Sequence, residues 1–141
     1  DVVLTEGGDF DKLGRGFIRN SEVAGCAHQN HIFAVRAKRD MLMPDFLAYL
    51  TQSAYGKAYF LSVAHKTTNL ACINTTKLKA LPALLPSMEE QQEIIKSVRG
   101  VDGKIAVEVR KRNALETLFR TLLHDLMTGQ IRVNQVNGQG E

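Results

Sequence analysis

Tryptophan is absent, cysteine occurs twice, proline three times, and aromatics make up only 6% of the 141 residues. Two cysteines as distant as Cys26 and Cys72, neither in a CxxC pair, are too few for the disulfide framework of a small secreted scaffold. They read as buried or half-buried thiols in a reducing compartment. No apolar run approaches the ~18–20 residues that span a bilayer. The opening Asp1-Val2-Val3-Leu4-Thr5 has no basic region followed by an apolar core of the kind that would mark a secretory signal. Charge of one sign is not in excess either. With 18 Lys+Arg against 15 Asp+Glu, a formal +3, the chain is neither an acidic disordered segment nor a histone-like basic protein. The expectation is a soluble, cytoplasmic chain with no membrane partner. Its 44% hydrophobic content suffices for one domain, or a small domain with an appendage.

Pro86 divides two compositions. Ten basic and seven acidic residues precede it and eight of each come after it, so the whole excess of positive charge lies in the first part. An anionic partner is to be sought there. This part consists of short β-like runs and turns. Val2–Thr5 reads as a strand, and Thr5–Asn20, with Gly7, Gly8, Gly14 and Gly16, reads as a long loop of the functional or mobile kind. His31–Ala37 alternates His31, Phe33 and Val35 against Ile32, Ala34 and Arg36, a second strand. Pro44 opens a helix with an apolar stripe of Phe46, Leu47, Tyr49 and Leu50. A further helix from about Ser53 brings Tyr55, Tyr59 and Phe60 toward the same core. His65–Asn69 is polar and turn-like, Leu70–Ile73 is a short apolar run, and Asn74 or Thr75 caps one turn ending near Leu81.

The second part has one period throughout. Ser87-Met88-Glu89-Glu90 is a capping box, in which the Ser87 hydroxyl accepts from the Glu90 amide and the Glu90 carboxylate reaches back to the Ser87 amide. Beyond it, Ile94, Val98, Val101, Ile105, Leu115, Phe119, Leu122 and Leu126 keep to alternating steps of four and three, with Glu108 and Arg112 filling the seam between the two apolar groups. Gly129 supplies the C′ stop. A helix from Ser87 to Thr128 would extend about 60 Å, and its stripe needs a partner helix. Gly100 and Gly103 each cost about 1 kcal/mol relative to alanine and mark the expected weak point.

A search for catalytic groups finds none that assemble. His28 and His31 are three apart, without the further ligands that a metal site requires. Gly14-Arg15-Gly16 lacks the third glycine of a dinucleotide fingerprint, and no Walker lysine motif is present. Pro44-Asp45 with the distant Asp102-Gly103-Lys104 superficially matches a nuclease pattern, but the latter falls in the long helix, away from the former. Nucleophile signatures built on serine or cysteine are missing. A set suited to binding remains. Lys12, Arg15 and Arg19 lie on the glycine-rich loop, Gln29, Asn30 and His31 where a loop enters a strand, and Lys66, Thr67, Thr68 and Asn69 on a second polar loop. Such side chains reach phosphates and base edges, arginine pairing with guanine and Asn or Gln with adenine.

The stretch Leu81-Pro82-Ala83-Leu84-Leu85-Pro86-Ser87-Met88-Glu89-Glu90-Gln91-Gln92-Glu93-Ile94, then Val101-Asp102, then Leu122-Leu123-His124-Asp125-Leu126-Met127-Thr128-Gly129-Gln130-Ile131-Arg132-Val133, resembles the end of the specificity subunit of type I restriction-modification enzymes. In that family a target-recognition domain closes on a proline-bracketed segment ending in an acid and a glutamine. A long spacer helix comes next, with a leucine-rich end and a Thr-Gly pair. Gly14-Arg15-Gly16, Asn30–Arg36 and Thr67-Thr68-Asn69 through Ile73-Asn74 are similar to the later part of such a domain.

The resemblance implies a non-catalytic reader of double-stranded DNA, each recognition domain taking one half of a bipartite site. It implies spacer helices that pair antiparallel as a ruler and dock the methyltransferase and restriction subunits. S-adenosylmethionine, ATP and Mg would then belong to those partners, with no cofactor or metal in this chain. The expected fold is α+β: a partial target-recognition domain over 1–86, lacking its N-terminal part; a spacer or dimerisation helix over 87–129 that pairs in a coiled coil; and a tail over 130–141. The unpartnered stripe suggests a homodimer. The alternative is a coiled-coil assembly module whose truncated head no longer binds DNA.

Overall fold

The computed structural model describes residues 1–18 and 30–134. Arg19, Cys26, His28 and Gln29 lie outside them. The chain divides into two compact units, Asp1–Ser97 and Val98–Glu141.

The first unit mixes small antiparallel sheets with helices. Strand β1 (Val2–Thr5) forms where four consecutive β-favouring residues allow it, and it lies between β3 (Gly16–Ile18) and β4 (Ile32–Val35). Val2 faces Val35 and Leu4 faces Phe33 across the ladder. These pairs set the alternation of β4 expected from its sequence and pack, with Leu47 and Ala48 of the first helix, into one apolar cluster. At the edge, the Arg36 guanidinium grips both Asp1 carboxylate oxygens at 2.8 and 2.9 Å.

Helix α1 (Pro44–Gln52) starts on Pro44 and buries Phe46, Leu47, Ala48, Leu50 and Thr51. Ser53 ends it and caps α2 (Ala54–Val63), its hydroxyl accepting from the Gly56 amide at 3.2 Å. Phe60 is fully buried with Leu13, Ala71 and Ile73. Phe60 and Tyr59 thus join a cluster apart from those of α1, not the shared core expected, and Tyr55 joins neither. Tyr55 is 40% exposed, and its hydroxyl donates instead to the Pro82 carbonyl at 2.7 Å. Tyr59 lies half-buried and donates to the Lys77 carbonyl.

The stretch after Thr5 is less irregular than its glycines suggest. Strand β2 (Gly7–Gly8) pairs with β6 (Ala71–Cys72), which pairs with β5 (His65–Lys66), a second three-stranded sheet. Cys72 is exposed rather than buried, because along β6 only Ala71 turns inward. Helix α3 (Thr75–Lys79) is capped by Asn74, whose side chain accepts from the Lys77 amide at 2.9 Å.

Helix α4 (Met88–Met127) opens on the expected reciprocal box. The Glu90 amide donates to the Ser87 hydroxyl at 3.2 Å, and the Ser87 amide to the Glu90 carboxylate at 2.9 Å. Its early turns belong to the first unit, where Ile95 packs on Phe46 and Leu50. There Gln91, fully buried, accepts from the Met43 amide and donates to the Met41 and Pro86 carbonyls, each at 2.9 Å.

The second unit is the remainder of α4 and the residues beyond its end. The helix runs through Gly100 and Gly103, and Gly129, at φ 72°, ends it in the left-handed conformation.

Candidate nucleic-acid interface

Three exposed segments of the first unit carry the polar residues singled out in the sequence. The first is the loop between β1 and β3. Its ends are held together at Thr5, whose amide donates to the Arg15 carbonyl at 3.2 Å and whose carbonyl accepts from the Gly14 amide at 3.1 Å. Gly14 adopts φ +67°, and a Cβ there would lie 2.2 Å from the buried Phe60 ring. Only glycine meets both conditions. At Gly16 a Cβ would fall 2.6 Å from Leu4 and 2.7 Å from the Thr51 hydroxyl, so the strand lies hard against α1. The Gly14-Arg15-Gly16 motif therefore places the exposed Arg15 between two glycines that packing requires.

Both cations of this loop have an acidic neighbour. Lys12 bonds Asp9, whose carboxylate holds the ammonium protonated to a higher pH than usual by hydrogen bonding and then by charge. Arg15 lies 3.7 Å from Asp11. Arg15 and Asp11 share the wall of an open recess of about 470 Å³ with Gln52 and Lys57. The exposed Gln52 donates to the Gly16 carbonyl at 2.7 Å. Gln52 and Lys57 escape a reading of the sequence because they sit on helices among apolar neighbours, where periodicity flags only the buried face.

Glu6 joins the first segment to the other two. Its amide donates to the His31 carbonyl at 3.0 Å, its carbonyl accepts from the Ile73 amide at 3.0 Å, and its carboxylate lies 3.3 Å from His31 Nδ1. His31 holds φ +71°, the only non-glycine positive φ among the described residues, and it and Asn30 are exposed. The third segment is the β5–β6 hairpin. Lys66, Thr67, Thr68 and Asn69 are all exposed on it, and Thr67 closes the turn by backbone and hydroxyl bonds to Leu70. Pairing of β2 with β6 sets this hairpin beside the root of the first loop.

The fold thus draws Lys12, Arg15, Asn30, His31 and Lys66–Asn69 from segments up to about sixty residues apart onto loops rooted in two adjoining ladders. Arg19 and Gln29 fall outside the described residues. Among the described residues no group of three His, Cys, Asp or Glu side chains is placed to hold a metal ion. No helix among them is long and apolar enough to cross a membrane.

On α4, the stripe residues Ile94, Val101, Ile105, Leu115 and Phe119 are exposed, while Val98, Leu122 and Leu126 are half-covered. Phe119 shows 66% of its surface. An exposed apolar stripe of this kind marks an interaction surface.

The family model described as the type I restriction modification DNA specificity domain matches residues 1–117. The chain is 24% identical over 128 residues to the putative type I restriction enzyme MjaX specificity subunit of Methanocaldococcus jannaschii, an alignment covering 91% of this chain and 30% of that protein. It is 27% identical to the type I restriction enzyme StySPI specificity subunit of Salmonella potsdam, covering 92% of this chain and 29% of the relative. The MjaVIII specificity subunit of M. jannaschii is 29% identical over 100 residues, covering 71% of this chain and 23% of the relative. The chain therefore spans less than a third of the length of the relatives it matches. No solved structure matches it. With the family match running from β1 through most of α4, the chain belongs to the type I restriction modification DNA specificity domain family.

Proposed function

We propose that this chain is a non-catalytic DNA-recognition element of a type I restriction-modification complex, in the cytoplasm. Its first unit reads one half of a bipartite double-stranded site, and α4 sets the spacing and docks methyltransferase and restriction subunits. S-adenosylmethionine, ATP and Mg are held by those partners. A second copy of the chain, paired through α4, supplies the other half-site. The observation that carries the reading is the family match over residues 1–117, which takes in all three polar loops. Their anchoring at Thr5, Glu6 and the β2–β6 ladder gives the side chains the fixed roots that base readout requires.

A second reading has its own support. Lys12 and Arg15 are each engaged by a carboxylate of the same loop, which lowers their pull on phosphate. This favours an assembly module whose head does not bind DNA. Gel shifts with pools of random duplexes, repeated across a salt series, decide between the two. A DNA reader retains a subset of sequences and weakens steeply with salt; no shift at any salt overturns the first reading.

A further inference from the structure

Arg15 and Asp11 line one recess with their charged ends 3.7 Å apart. The turn that holds them is fixed at several points. Its backbone closes twice, the Lys12 amide donating to the Asp9 carbonyl at 2.9 Å and the Arg15 amide to the Lys12 carbonyl at 3.2 Å. Leu13, between the two charges in sequence, is buried in one cluster with Phe60, and the Arg15 carbonyl accepts from the Thr5 amide. Both charged side chains nevertheless stay exposed. An ion pair so open to water contributes at most about 1 kcal/mol. It does little for the loop and leaves both groups available to a ligand.

The pairing decides which surface of DNA suits these two side chains. A phosphate brought to the Arg15 guanidinium is also brought close to the Asp11 carboxylate, and the two anions repel. Lys57, on the same recess, keeps its net charge positive, so a duplex is still attracted although its backbone is a poor occupant of this position. A base edge in the major groove carries no net charge. There guanine presents two acceptors, O6 and N7, which a guanidinium takes with two donors, and cytosine presents one donor, its N4 amino group, which a carboxylate takes. Within a G·C pair O6 and N4 are bonded to each other at about 2.9 Å. A donor and an acceptor held 3.7 Å apart therefore match both edges of one pair. An A·T pair matches less well, because one orientation sets thymine O4 against the carboxylate and the other leaves the guanidinium a single acceptor.

We propose that Asp11 and Arg15 act as one reader of a G·C pair, Arg15 on guanine O6 and N7 and Asp11 on the cytosine N4 of the same pair. This rests on the DNA-recognition reading above and adds to it the base pair that this loop selects and a role for Asp11.

The full chain is used to select from a pool of random duplexes, and the selected duplex is then altered one pair at a time. One G·C pair stands out, at which reversal to C·G or change to A·T lowers binding by about five- to a hundredfold. Arg15→Ala erases that preference. Asp11→Ala weakens the selected duplex severalfold and strengthens scrambled duplexes, since it removes a base contact from the one and a repulsion from the others. Two base analogues at the same pair locate each contact without altering the protein. 7-Deazaguanine, which lacks N7, weakens binding by the unaltered chain and makes no difference to Arg15→Ala. N4-methylcytosine, whose amino hydrogen toward the groove is replaced by a methyl group, weakens binding by the unaltered chain and makes no difference to Asp11→Ala. If Asp11→Ala strengthens selected and scrambled duplexes alike, or if both variants keep the unaltered choice at every G·C pair, the proposal falls while DNA reading stands. Selection of no duplex at all overturns DNA reading and this proposal with it.

Discussion

The side-chain oxygen of Gln91 accepts the Met43 amide at 2.9 Å, joining the first turn of α4 to the residue that precedes α1 across 48 positions of sequence. The same side chain donates to the Met41 and Pro86 carbonyls and has no surface exposed. A buried amide with all these bonds made is neutral to stability or better, but its removal strands the backbone groups it served. Gln91→Leu, close in volume, should therefore destabilise the first unit by about 3 kcal/mol, since each unsatisfied buried group costs ~1–3 kcal/mol. Gln91→Glu should do no better, because a carboxylate accepts from Met43 but cannot donate to either carbonyl. Urea unfolding measures the difference, and an unchanged midpoint for Gln91→Leu would mean that the clamp contributes nothing to stability.

Glycines on this chain do opposite things according to their surroundings. At Gly14 both the positive φ and the 2.2 Å approach to Phe60 forbid a side chain, and Phe60 is enclosed and cannot give way. Gly14→Ala should cost about 2–4 kcal/mol, overpacking adding to backbone strain. At Gly103 nothing lies within 4 Å of a built Cβ. Gly103→Ala should stabilise α4 by about 1 kcal/mol. Thermal unfolding of the pair of variants gives shifts of opposite sign; shifts of the same sign would contradict one of the two environments.

The same contrast explains what was legible in the sequence. Signals confined to one turn of chain are carried by a few adjacent side chains: Pro44 opening α1, Ser53 and Asn74 capping, the Ser87–Glu90 box and Gly129 ending α4. Long-range pairing leaves no such mark. Gly7–Gly8 becomes a strand because Ala71–Cys72 lies beside it, more than sixty residues on, and two glycines have no β preference of their own. Gln91 looks like a surface residue in a run of Glu and Gln, and its burial is decided by the carbonyls and amide of residues 41, 43 and 86. At the candidate interface, composition located the loops. The Asp9 and Asp11 partners that qualify their charge became evident only with geometry.

For DNA binding, the two loops predict different signatures. Arg15 stands between packed glycines beside the Lys57–Gln52 recess and is suited to a fixed, base-directed role. Arg15→Ala should weaken the preferred duplex by ~1–3 kcal/mol while leaving scrambled DNA nearly unaffected. Lys66, exposed on a two-residue strand, is suited to phosphate. Lys66→Ala should lower affinity for all duplexes alike and reduce the salt slope by about one. Binding isotherms on preferred and scrambled duplexes at several salt concentrations separate the two, and equal losses on both duplexes for Arg15→Ala would reassign it to the backbone.

Phe119 offers the plainest test that the stripe on α4 is covered in solution. A ring 66% exposed gains little from its own chain, so its replacement should leave the unfolding of an isolated copy almost unchanged. If a partner helix covers it, burial of the ring stabilises the assembly by about 1.5–3 kcal/mol for each copy. Folding is then linked to association, and the transition temperature rises with protein concentration. Phe119→Ser should abolish that rise and leave the transition of the dilute protein where it was. The variant carries no charge and so reports coverage of the stripe alone. A transition temperature that is flat with concentration in the unaltered chain would mean that the stripe stays open to water when this chain is alone.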